Sequence, residues 1–120
     1  MNLHYPAASA DSLTVVCEKL AAGFALPPFA VTRESEHVRS ARSASGPFAI
    51  EVVEFLGHVS AEDAAKIDSP DQWNLAWRAE VGLEFNFQVS ITRGTVTRRQ
   101  RERTARKLRL AFSEIRLHGD

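Results

Sequence analysis

The chain has a single cysteine, Cys17, in 120 residues. No intramolecular disulfide and no cysteine-based zinc cluster can therefore form within it, and a reducing, cytoplasmic setting is the expectation. Nowhere does it hold the run of about eighteen apolar residues that a membrane helix needs. The apolar stretch from Ala21 to Val31 is broken by Pro27 and Pro28, and Met1 to Asp11 shows neither the basic start nor the apolar centre of a signal peptide.

Catalytic patterns are missing as well. His4, His37, His58 and His118 are scattered, without the helical spacing or HExxH pattern of a metal site. Gly46, Gly57, Gly82 and Gly94 stand alone, so there is no glycine loop to cradle a phosphate, and no serine sits in a Gly-x-Ser-x-Gly elbow. Neither an enzyme nor a cofactor-holding protein is expected, and no metal or catalytic residue is assigned.

What is present is apolar patterning and a division of charge. With 44% hydrophobic residues, a chain of this length buries a core as one domain. Net charge is zero, yet residues 1–92 carry six basic against twelve acidic side chains, and residues 93–120 carry nine against three. Such asymmetry points either to an acidic partner such as nucleic acid or to two parts that face each other.

Residues 1–10 read as a loose arm. A helix follows from Asp11 or Ser12, either of which can cap it, with Leu13, Val16, Cys17, Leu20 and Phe24 as its apolar stripe and Gly23 and the prolines at its end. Cys17 within that stripe reads as a buried small hydrophobe. Phe29 to Ala41 reads as an edge strand, Ser43 to Pro47 as a turn, and Phe48 to Phe55 as a strand whose shift of alternating phase predicts a bulge near Val52. Ser60 caps a short helix.

Trp73 to Thr92 alternates strictly, every odd position from Trp73 to Ile91 except Ala79 being large and apolar. Fully extended it would span roughly 65 Å, so it must turn, and Gly82 is the place. A hairpin over this stretch is the favoured reading, with Trp73, Trp77, Phe85 and Phe87 packed on one apolar face. Ser69-Pro70-Asp71-Gln72 is also a helix opening, with Gly82 as its C-terminal cap. That alternative leaves Leu75 and Ala79 on the outer side.

Thr97 to Leu117 is composed of helix formers. At about 100° per residue, Thr104, Leu108, Ala111, Phe112 and Ile115 share one face, while Leu110 and Leu117 fall opposite. Alternation of Leu108, Leu110 and Phe112 keeps a strand open. Arg93, Arg98, Arg99, Arg101, Arg103, Arg106, Lys107 and Arg109 crowd this segment, relieved by Glu102, which is spaced to pair with Arg106. Cations in the first turns oppose the helix dipole, so helix stability does not account for them. They suit phosphate contacts, or a solvated face, or a face turned toward Glu34, Glu36, Glu51, Glu54, Glu80 or Glu84.

The expected architecture is α+β: an antiparallel sheet of about four strands with the N-terminal and C-terminal helices packed on one face. The expected function is non-enzymatic binding of a protein partner or of a second copy, of the inhibitor, immunity-protein, chaperone or regulatory-subunit type. Its surface would be built from Arg99, Arg103, Arg106, Lys107, Leu110 and Leu117. The alternative is nucleic-acid binding through the arginine-rich segment.

Overall fold

The computed structural model describes residues 2–94 and 97–117; His118 lies outside them. The chain runs β1 (Asn2–Ala8), α1 (Leu13–Phe24), β2 (Ala30–Glu34), β3 (Val38–Ser45), β4 (Phe48–Phe55), α2 (Ala61–Ala65), α3 (Gln72–Val81), β5 (Phe87–Thr92), α4 (Arg98–Ala111) and β6 (Glu114–Ile115). Its six strands form one antiparallel sheet in the order β2-β3-β4-β5-β1-β6. The α+β class and the antiparallel sheet agree with the sequence reading, with two strands more than about four.

The first addition is β1, which replaces the expected loose arm. Tyr5, Pro6 and Ala7 are buried, and the strand pairs with β5 from Asn2 opposite Thr92 to Ala7 opposite Phe87. Pro6 disguises it, because proline supplies no ladder donor. Its carbonyl accepts the Arg116 amide at 2.9 Å, so the missing donor falls on the β6 side, where pairing stops after two residues.

The helix at 72–81 takes one expected strand away, while β6 and the division of residues 29–41 between β2 and β3 each add one. Residues 72–81 form α3, which corrects the hairpin reading: Gln72 to Val81 is helical and Gly82, at φ +134°, is its cap, a backbone region open to glycine. The alternation was accidental; the helix instead buries Leu75 and Arg78, the first of which the helical alternative had left outside. Trp73 remains 56% exposed.

Two cores result. Val16, Cys17, Leu20, Ile50, Val52, Phe87, Val89 and Leu108 belong to the larger one, under α1 and α4. Val38, Val53, Phe55, Ala64 and Leu75 form the smaller, under α2 and α3 on the opposite face. This explains the phase shift in β4 without a bulge: its pairing with β3 and β5 runs unbroken through Val52, and both of its faces are buried. The register shift lies instead between Val31 and Arg33 of β2, and residues 29–41, expected as one edge strand, fall in two strands, β2 and β3.

Local signals placed the helix starts. Ser12 accepts from the Val15 amide at 3.4 Å, and Glu54 takes the Leu13 amide at 3.2 Å; both satisfy free donors at the head of α1. The helix runs past Gly23 and caps at Ala25, which adopts φ +52°. Among the described residues no helix is long and apolar enough to cross a membrane.

Candidate interaction surface on the outer face of α4

Helix α4 begins with a capping box. The Gln100 amide donates to the Thr97 hydroxyl at 3.2 Å, and the Thr97 amide donates to the Gln100 side chain at 2.8 Å. Thr104 turns inward, donating to the Gln100 carbonyl at 2.9 Å and accepting from Arg93 at 3.0 Å. Leu108 and Ala111 are buried against the larger core.

At the helical angle, Arg99, Arg103, Arg106 and Leu110 then lie opposite Leu108. All four are exposed, Leu110 by 83%. The structure thus gathers four of the six residues predicted to bind a partner into one outward stripe. Lys107 sits at its margin, half-buried with its ammonium 5.1 Å from the centre of the Phe24 ring, so part of its charge faces an aromatic π cloud.

Leu117 does not join them. The helix ends at Ala111, the chain becomes extended, and Leu117 is 8% exposed in the larger core. A helix carried on to Leu117 would have turned it outward. Of the remaining basic residues, Arg98 pairs with Glu102 at 3.2 Å, which replaces the expected pairing of Glu102 with Arg106. Arg101 and Arg109 are exposed.

The acidic part of the chain does not neutralise this stripe. Glu34 pairs with Arg39 at 3.1 Å, Glu54 lies 4.0 Å from the same arginine, Glu36 meets His37 at 3.2 Å, and Asp71 is held by Arg33. Among the described residues no ion pair joins these acids, or Glu51, Glu80 and Glu84, to Arg99, Arg103 or Arg106 of that stripe. Arg99, Arg101, Arg103 and Arg106 have no charged partner among those residues. Each guanidinium keeps its five donors for solvent or a ligand.

Two further apolar residues are more than half exposed outside α4. Val31 is 59% exposed on β2, at the edge of the sheet, next to a groove between that strand and α1. Trp73 projects from α3 with its ring centre 5.4 Å from that of His4, whose Nδ1 lies 2.7 Å from the Ser90 hydroxyl. The sequence reading placed Val31 in an edge strand and Trp73 on a packed apolar face; how far each is exposed depends on the neighbours that topology supplies. Comparison with protein-family models, with curated proteins and with solved structures finds no match to this chain.

Proposed function

We propose that this protein is a binding module rather than an enzyme, and that it presents the outer face of α4 to a partner protein whose surface is acidic around an apolar recess. The observation that carries this reading is Leu110, 83% exposed at the end of a stripe of arginines without counter-charges. A leucine this exposed adds helix propensity but almost no apolar burial to the fold. Burying it fully against a partner is worth roughly 1.5–3 kcal/mol, and arginine is enriched in protein interfaces. Unpaired cations around it steer an acidic partner and set its orientation. A reducing, cytoplasmic setting fits the same reading, because Cys17 is a free, buried thiol.

Phosphate binding is the second reading, favoured by the series Arg99, Arg103 and Arg106 along one helix face. Each phosphate contact releases counterions, so affinity for an oligonucleotide would fall steeply with salt.

One experiment separates the two. A photo-crosslinking residue at position 110 should join the protein to one partner, or to a second copy, and the product should vanish with Arg103→Glu and Arg106→Glu. If it forms no such product, and oligonucleotides bind with a salt slope reduced by Arg→Gln at 99, 103 and 106 but unchanged by Leu110→Ala, the phosphate reading replaces the first.

A further inference from the structure

A second surface, independent of α4, lies between α1 and the sheet edge. β2 ends the strand order, so one side of its backbone has no neighbouring strand, and Ala30, Val31 and Thr32 are all exposed. Beside it a groove of about 360 Å³ runs along α1, walled by Cys17 and Ala21 on the helix, by Val31 and Ala41 on the sheet and by Phe29 just before β2. This face is open because α1 packs over β3 and β4 and leaves β2 uncovered.

An unpaired strand edge offers alternating amide donors and carbonyl acceptors. Its complement is another extended backbone, whose side chains then point alternately to the two faces of the sheet. Those on the α1 side would enter an apolar groove.

The charges at the rim narrow the choice further. Arg39 lines the groove but is engaged by Glu34 and Glu54. Glu18 lines it from α1, is exposed, and has no ion-pair partner among the described residues. The uncompensated charge facing the groove is therefore negative. The register shifts between Val31 and Arg33, after which pairing resumes at Arg33 and Glu34, and β2 is only five residues long, so the added strand is short and needs its side chains as well as its backbone.

We infer that the β2 edge and the α1 groove bind an extended peptide segment of a partner protein by strand addition. The segment carries apolar side chains at alternate positions and a lysine or arginine next in that series, which meets Glu18. This is the recognition mode in which backbone hydrogen bonds supply affinity and pockets for alternate side chains supply specificity.

The test uses the full-length protein and a blocked peptide, acetyl-Thr-Val-Thr-Val-Thr-Lys-Thr-amide, titrated by amide NMR with the solution mass measured alongside. Shifts are expected along β2 and along α1 from Leu13 to Ala21. Methylating every backbone nitrogen of the peptide should weaken binding by about tenfold or more, the loss of a few net hydrogen bonds. Val31→Lys should weaken it similarly, and Glu18→Gln should flatten its salt dependence. Both variants change exposed residues and should leave the fold intact. No shift at millimolar peptide, shifts centred on α4, or binding indifferent to backbone methylation would each overturn the inference. So would a dimer that Val31→Lys converts to monomer in the absence of peptide binding, which assigns the edge to a second copy.

Discussion

Arg78 donates from Nε to the carbonyl oxygen of Phe85 at 2.9 Å, across the turn that follows α3. The same guanidinium reaches the Gly57 carbonyl at 2.7 Å and the Leu83 carbonyl at 2.8 Å, and it lies 5.1 Å from the centre of the Phe55 ring. Burial pulls its pKa below the usual arginine value, yet three carbonyls and a ring face replace the water it has lost. One side chain thus ties α3 to the chain on both sides of it. Arg78→Met keeps the apolar stem but orphans three acceptors, and should lower unfolding free energy by about 3 kcal/mol. Arg78→Lys cannot reproduce the planar fork, so it should recover only part. Urea midpoints at constant m value give the comparison.

Asp71 supports the other end of α3 without capping its amides. It is the N-cap residue but makes no side-chain bond to the helix amides; instead it accepts from the Ser35 hydroxyl at 2.6 Å and pairs with Arg33 of the edge strand. Removing one partner of a buried pair leaves an uncompensated charge. Arg33→Ala should therefore cost about 3 kcal/mol, and Asp71→Asn with Arg33→Ala should cost less than the sum of the single changes. A double-mutant cycle reads the coupling; additive losses would show that the two residues do not act as a unit.

Leu110 and Leu117 test the surface against the core. Leu117→Ala deletes apolar volume from the larger cluster and should destabilise by about 2–4 kcal/mol. Leu110→Ala should change stability by less than about 0.5 kcal/mol, as should Arg103→Gln. Equal losses at the two leucines would place Leu110 in a packed environment and remove the observation on which the proposed interface rests.

This pair also shows which features were legible. Helix α4 was legible because its residues favour helix and Thr104, Leu108 and Ala111 recur at the helical angle. Leu117 was not, because the helix stops at Ala111 and the pairing that replaces it joins β6 to β1, more than a hundred residues earlier. Arg78 was not legible for the same reason: a buried arginine marks a helix face only once Gly57, Leu83 and Phe85 are in place around it. In β4, Ile50 and Val52 against Val53 and Phe55 recorded a second core that a one-faced sheet could not accommodate. The arginine stripe was half legible, its spacing visible and its lack of counter-charges not.

Cys17 provides a pH-dependent check on the larger core. Burial raises its thiol pKa from 9.0 to about 11, with the Glu54 carboxylate adding to the rise. At neutral pH the native thiol is protonated and inert, because the thiolate is the nucleophile. A thiol reagent should therefore modify the native protein slowly, and at the rate of the free thiol once it is unfolded in urea. The sign of the linkage is fixed: between pH 9 and 11 the unfolded chain gives up this proton before the folded one does, so the unfolded state binds fewer protons and stability falls as pH rises. The contribution is complete below pH 9 and is lost through the folded value. Cys17→Val, which fills a similar volume, should flatten that alkaline limb in urea unfolding measured across the range. An unchanged limb would mean that the thiolate is as well accommodated in the folded chain as in water, contrary to its place between Leu13, Val16 and Leu20 in the apolar core.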